Sequence, residues 1–393
     1  MTAQDLASRF QRIDVDQAPG QHRAGNDAEL LVDFSHGDVD AFPPPPGTGR
    51  LMTESLRAGA RSAYSVYRGH AAIREGVASR LAPLLRSQPD PGSELIITPG
   101  TQAALYLALS ALVDRGDPIA IVTPDYFANR KIPEFIGASP LSVPLDAPRD
   151  GPATLRLDVL ESAFRTGARV LVLSHPNNPT GAVYDASQLA AIAELAERHD
   201  AIVIADQLYS RLVYDGAALA PLRGMPGMAE RSVTLIGPSK TESLSGFRLG
   251  VAVGPAWVID RMERLQAIVS LRAPGYAQGI LSAWLAEPEG WLAERTAAHQ
   301  RIRDRLVAAF DAAGLVVRPS EAGSYLFPLL PELTLRTEDF IAELRRTAGV
   351  VVTPGSEFGT GHDRRVRLNF SQDADAAAEG VARLIDLAGR RRA

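Results

Sequence analysis

The sequence predicts an α/β fold: a large domain built on a mainly parallel sheet covered by helices on both faces, followed by a smaller α+β domain. Three observations carry this. Short apolar runs recur at Leu95–Thr98, Ile119–Val122, Val170–Leu173, Ile202–Ala205, Val233–Ile236 and Leu249–Val253, with helix-forming stretches such as Gln102–Val113 and Ser187–Arg198 between several of them. Runs this short and this apolar read as strands buried on both faces, and helices between them are the crossovers of a parallel sheet. After about Pro288 the texture changes to long amphipathic helices separated by short strands. The chain's 393 residues, 46% of them hydrophobic, exceed what one core usually holds.

Taken in order, residues 1–45 form an N-terminal arm. Phe42–Gly49, with four consecutive prolines and two glycines, is an extended strap that excludes helix and central strand. Residues 46–287 form the large domain. Residues 288–393 form the second domain: a helix over Trp291–Ala313, strands near Leu315–Val317 and Tyr325–Phe327, a helix over Thr337–Thr347, two more strands, and a closing helix over Ala374–Arg390. Ligands bind in loops that follow parallel strands. Gly100, Thr101, Tyr126, Asn178, Asp206 and Lys240 each sit just beyond a proposed strand.

Composition excludes several classes. With no cysteine there is no disulfide framework, thiolate zinc site or cysteine nucleophile, which fits a reducing compartment. Met1–Asp14 lacks the basic start and apolar run of a secretory signal, and no apolar stretch approaches the ~18 residues that span a bilayer. A cytoplasmic protein is expected. The net charge of −5 argues against a broad grip on nucleic acid or anionic membrane. The seven histidines show no metal-ligand spacing. Gly237-Pro238-Ser239-Lys240-Thr241 is not a phosphate-binding P-loop, which needs glycine where Ser239 stands and another where Thr234 stands.

Of the 41 lysines and arginines only two are lysine, Lys131 and Lys240. Arginine stays protonated, whereas a desolvated lysine loses its proton and attacks carbonyls. Lys131, in the charged stretch Asn129–Glu134, reads as a solvated surface residue. Lys240 has richer surroundings: Pro238-Ser239-Lys240-Thr241-Glu242-Ser243-Leu244-Ser245-Gly246-Phe247-Arg248 places it eight residues before an arginine. Here the chain resembles the class I/II aminotransferases, fold type I enzymes dependent on pyridoxal 5'-phosphate. The resemblance implies Lys240 as the Schiff-base lysine and catalytic residue, Arg248 as the phosphate clamp and Ser239 as a neighbouring cofactor contact. A guanidinium fork suits a phosphate dianion, and a released amine suits a general base.

Further segments follow the same family's order. His175-Pro176-Asn177-Asn178-Pro179-Thr180-Gly181 resembles its Asn-Pro-Thr-Gly turn, which implies that Asn178 binds the cofactor's ring oxygen and borders the substrate. Asp206 and Tyr209, in Ala205-Asp206-Gln207-Leu208-Tyr209, match the aspartate that pairs with the pyridine nitrogen and the tyrosine that shares the ring oxygen. Singly, such an aspartate is more often a helix cap. Gly100, Thr101 and Gln102 match the phosphate cup, where a glycine turn opens the positive end of a helix. Tyr126 matches the aromatic stacked on the cofactor, and Tyr64 the tyrosine that reaches a neighbouring subunit's phosphate. Arg367, in Val366-Arg367-Leu368-Asn369-Phe370, matches the anchor for the substrate α-carboxylate, and Gly37 a loop glycine that approaches the substrate.

The resemblance spans about Gly37 to Arg367. It implies a seven-stranded-type sheet sandwiched by helices, a small domain built from both chain ends, and a homodimer with active sites at the interface. It also implies transfer of an L-amino acid's amino group to a 2-oxo acid. Lyases, cyclising enzymes and oxidases acting on amino acids share these motifs and stand as the alternative; a regulatory protein that only senses the cofactor would need a DNA-binding domain for which the residues before the main domain are too few. Three positions depart from the family. Gly237 stands where many relatives carry a phosphate-binding serine, a loss Ser239 could offset. Glu242 stands where an aromatic is common, and Gln207 replaces a glutamate. Arg272 falls in a segment that in the family often reaches the partner's site, so it stands either as a contact to the partner's phosphate or an acidic substrate group, or equally as a surface interface arginine. His36, Glu242 and Arg272 are the candidates for the side-chain pocket.

Overall fold

The computed structural model describes residues 29–58 and 64–393; the reading of Met1–Asp14 lies outside them. The strands are β1 (Val32–Asp33), β2 (Leu95–Thr98), β3 (Pro118–Thr123), β4 (Ser139–Asp146), β5 (Thr154–Leu155), β6 (Val170–Ser174), β7 (Ile202–Asp206), β8 (Ser232–Ile236), β9 (Gly250–Val253), β10 (Tyr325–Leu326), β11 (Val350–Val351), β12 (Thr353–Pro354) and β13 (Val366–Asn369). Eight of them form one sheet in the order β2-β9-β8-β7-β6-β3-β4-β5. Pairings among β3, β4, β6, β7 and β8 are parallel, while β9 runs antiparallel to both β8 and β2. The C-terminal ends of β2, β3, β6, β7 and β8 therefore meet at one sheet edge, beside the start of β9. Every residue of β2, β6, β8 and β9 is buried, as expected for strands covered on both faces.

Two of the eight strands escape the sequence reading. In β4 the motif Ser-Pro-Leu-Ser-Val-Pro-Leu-Asp buries only Val143 and Leu145, and its prolines argue against a central strand. β4 lies one place from the edge, where proline is tolerated, and only the two-residue β5 lies beyond it. The expected strand at Leu315–Val317 reduces to a single bridge between Val316 and Leu329.

Helices cover the sheet: α1 (Thr48–Arg57), α2 (Ala71–Leu85), α3 (Thr101–Leu112), α4 (Phe127–Ile136), α5 (Leu157–Arg165), α6 (Ala186–Arg198) and α7 (Ala256–Val269). Helix α1 begins at Thr48, so the non-helical strap ends two residues earlier than its composition predicts. Beyond them lie α8 (Gly275–Gln278), α9 (Trp291–Ala312), α10 (Thr337–Ala348) and α11 (Ala374–Arg390). A separate apolar cluster unites Val32 and Phe34 with Leu306, Phe310, Leu368 and Leu384. β1 pairs in parallel with β11, so both ends of the described chain share one core.

Lys131 is not a solvated surface residue. Its side chain is 22% exposed and pairs with Glu357 at 2.8 Å, tying α4 to the segment after β12.

Candidate active site

The strand ends enclose a cavity of about 350 Å³ whose wall includes Thr101, Tyr126, Asn178, Asp206, Lys240 and Arg248. Gln102, Tyr209 and Ser239 also line it. Gly100, with φ +91, turns the chain from β2 into α3, and no side chain caps that helix. The first N–H groups of an α-helix have no intrahelical acceptor, so α3 offers unpaired donors and positive potential at the cavity wall. The Thr101 hydroxyl is buried without a partner. A Cβ on Gly250 would lie 2.5 Å from both Gly100 C and Thr101 N, so β9 packs against this turn only because residue 250 is glycine. The Arg248 guanidinium covers Gly100, and its Nη1 donates to Ser245 O at 2.9 Å.

Asp206 ends β7, and its Oδ1 accepts from Leu208 N–H at 3.1 Å. Burial pushes its carboxyl up to about 6, with the Leu208 bond and the nearby Lys240 ammonium pulling the other way. The Tyr126 hydroxyl donates to Gln102 Oε1 at 3.1 Å, and burial raises it well above the tyrosine range. Ser239 Oγ reaches only Leu249 O, at 3.5 Å. Gly237 does not line the cavity; a Cβ there would meet Thr101 Oγ1 at 3.1 Å.

Arg367 lies on β13 and is 6% exposed. Nη1 donates to Asn178 Oδ1 at 3.2 Å, and Nη2 to Ser35 O at 2.9 Å and Thr353 Oγ1 at 3.3 Å. Its Nε is buried without an acceptor, and no carboxylate among the described residues pairs with it. Because Asn178 Oδ1 is engaged by Arg367, its Nδ2 remains available as a donor. A second cavity of about 290 Å³ shares Lys240 and Ser239 with the first and is lined by His36 and Gly37. His36 Nε2 lies 3.4 Å from an Asp33 oxygen, a contact that raises the imidazole above its ordinary value against its burial.

Tyr64 is not brought to this cavity within one chain. It is 78% exposed, and the Arg272 guanidinium lies 4.5 Å from its ring centroid and 4.5 Å from that of Tyr67. Glu242 lines neither cavity; it is buried against Arg211.

Sequence reasoning missed two residues. Asp125 accepts from the N–H groups of Ser174 at 2.8 Å and Tyr126 at 2.6 Å, and from the Ser174 hydroxyl; that hydroxyl oxygen in turn accepts from Asn178 N–H at 3.2 Å. Burial pushes Asp125 up to about 7. Tyr325 lines the cavity and hydrogen-bonds the Tyr209 hydroxyl. An acid directly before Tyr126 was a visible signal for the first; the second depends on β10 pairing with β13, which no local motif reveals.

Among the described residues no helix is long and apolar enough to cross a membrane, and no cluster of His, Asp and Glu could hold a metal ion. The family model "Aminotransferase class I and II" matches residues 31–384. A crystal structure of an aspartate aminotransferase from Rhodobacter sphaeroides is 49% identical, covers 99% of this chain and 100% of its own, and superposes with a TM-score of 0.93. The aspartate aminotransferase of Sulfolobus acidocaldarius is 30% identical over 363 residues, 90% of this chain and 89% of its own. The aromatic-amino-acid aminotransferase 2 of Thermococcus litoralis is 27% identical over 381 residues, 96% of this chain and 97% of its own. A match across nearly the whole chain, on a site with these residues at the sheet edge, places the protein: it belongs to the class I and II aminotransferase family, and its activity is amino-group transfer.

Proposed function

We propose that the protein moves the amino group of an L-amino acid to a 2-oxo acid with pyridoxal 5'-phosphate held on Lys240. The observation that carries this reading is the convergence on one cavity of a lysine, a buried carboxylate and an uncapped helix start beside an arginine, with a second arginine, Arg367, bonded to the cavity-lining Asn178 and without a carboxylate partner among the described residues. The donor set fits the cofactor. The orphaned Thr101 hydroxyl, the N–H groups of Thr101 and Gln102 and the Arg248 fork suit a phosphate dianion. Asp206 suits a protonated ring nitrogen, Asn178 Nδ2 and Tyr209 suit a ring oxygen, and Tyr126 offers an aromatic face.

When bound, the cofactor supplies an electron sink that acidifies the donor's α-carbon. The chain does the rest. Arg367 fixes the substrate carboxylate, with Gly37 allowing close approach, and thereby orients the Cα–H bond toward Lys240. Lys240 Nζ removes that proton as general base. Asp206, its negative charge stabilised by the cation it faces, holds a proton on the ring nitrogen.

The same reading takes the molecule as a cytoplasmic homodimer with the division 1–45, 46–287 and 288–393. Exposed Tyr64, Val66, Tyr67, Ile268 and Leu271 offer the apolar face for a second copy, through which Tyr64 and Arg272 reach the partner's site. Lyase, cyclising and oxidase outcomes share the cofactor and differ in product. The test is borohydride reduction of the loaded protein followed by peptide mass analysis. Cofactor mass on the Lys240 peptide supports the assignment, and mass on the Lys131 peptide or on neither refutes it.

A further inference from the structure

Tyr325 is a buried ionisable group that the mechanism above leaves without a role. It is 3% exposed and opens β10, opposite Asn369 of β13 and two residues from Arg367 in that register. Its hydroxyl bonds the Tyr209 hydroxyl, the two rings meeting edge-on at 5.1 Å between centroids. The Arg367 guanidinium lies over its ring, 4.3 Å from the centroid. The Ser320 hydroxyl donates to its carbonyl, which fixes it from behind.

We propose that Tyr325 is a positioning residue acting through two neighbours: its hydroxyl sets the direction in which Tyr209 donates, and its ring is the plate that holds Arg367 for the substrate carboxylate. The inference rests on the cofactor reading above. Each phenol has one proton to donate, so in the Tyr209–Tyr325 pair one oxygen gives and the other receives. Burial opposes ionisation of both. For Tyr325 that burial is outweighed by Arg367, Lys240 and the Tyr209 bond, which hold it below the ordinary tyrosine value, whereas burial and Tyr325 itself push Tyr209 well above. Asp206 opposes ionisation of both, and Tyr126 is the remaining titratable group that faces the pair. Either hydroxyl can be the donor in the pair taken alone.

Donation from Tyr325 is the one arrangement that leaves the Tyr209 proton unshared. The Tyr209 proton is then free for the ring oxygen, and the chain of two hydroxyls reinforces that bond.

The test is a pH titration of the bound cofactor's absorption band in wild type, Tyr325→Phe, Tyr209→Phe and the double variant, with donor KM measured alongside. Tyr325→Phe is expected to move the midpoint in the same direction as Tyr209→Phe, by about 0.3 pH unit or more. In the Tyr209→Phe background it should add nothing, because the two act as one unit. Phenylalanine keeps the ring under Arg367, so KM stays within about twofold, while Tyr325→Leu raises it about tenfold. An unmoved midpoint in Tyr325→Phe, or additive shifts, overturns the hydroxyl role; an unchanged KM in folded Tyr325→Leu overturns the plate. A wild type that binds no cofactor refutes the proposed function instead.

Discussion

Glu242 stands two residues after Lys240, and Arg211 two residues after Tyr209, so their contact ties together the two loops that carry the site. The Glu242 and Glu287 side chains are 2% and 5% exposed, with Arg211 between them at 11%. Arg211 is bidentate to Glu287, at 2.9 and 2.8 Å, and reaches Glu242 through the same Nη1. Glu287 stays below its ordinary value despite burial because Arg211 holds it, whereas burial wins at Glu242 and pushes it from 4.5 up to about 7. A carboxyl raised on folding binds more protons in the native state, so its contribution to stability falls as pH rises from 4.5 to about 7. That gap corresponds to about 3 kcal/mol. In Glu242→Gln the amide oxygen still accepts from Arg211, but nothing titrates. Denaturant unfolding of both proteins at pH 5 and pH 8 should show wild type losing about 3 kcal/mol relative to Glu242→Gln. Asp125 and Asp206, also raised, contribute equally to both and cancel. A difference that is flat, or that grows in favour of wild type with pH, would refute the reasoning and mean that Arg211 holds Glu242 ionised.

Three further outcomes are expected. Arg367→Lys keeps the charge but loses the fork, so donor kcat/KM should fall about 100-fold or more, mostly through KM, in steady-state assays; an unchanged KM removes Arg367 as the anchor. Gly250→Ala puts a methyl group 2.5 Å from Gly100 C and Thr101 N, so β9 must move off the Gly100–Thr101 turn. Cofactor titration should give a dissociation constant about tenfold higher, as a 1–3 kcal/mol overpacking strain implies. Asp206→Asn removes the charge proposed to face the ring nitrogen and should lower kcat about 100-fold or more with the fold intact by circular dichroism.

Much of this was legible because chemistry and local pattern coincide in the sequence. β2, β6, β7 and β8 are short apolar runs with no competing reading, and the residues that follow them are the ones that line the cavity. Lys240 stood out as one of two lysines in a chain that otherwise uses arginine for positive charge, and its segment separated it from Lys131. β4 was hidden because its prolines contradict a strand until its place beside the sheet edge is known. Tyr325 and Asp125 were hidden for a related reason: their roles lie in partners 116 and 49 residues away in sequence, Tyr209 and Ser174. Glu242 was visible as a departure, but only the packing of Arg211 and Glu287 around it shows that it faces away from the cavity into a buried ion pair. Tyr64 matched a motif, yet within one chain it lies exposed and away from the cavity.

The central claim is amino-group transfer from an L-amino acid at Lys240. Its most direct test is the absorption spectrum of the cofactor-loaded protein during titration with individual L-amino acids, without an oxo acid acceptor, followed by product analysis. The account predicts stoichiometric conversion to the aminated cofactor with an equivalent amount of 2-oxo acid, reversed by adding a 2-oxo acid. Continued turnover with ammonia or a side-chain fragment accumulating, while the original spectrum persists, would contradict it.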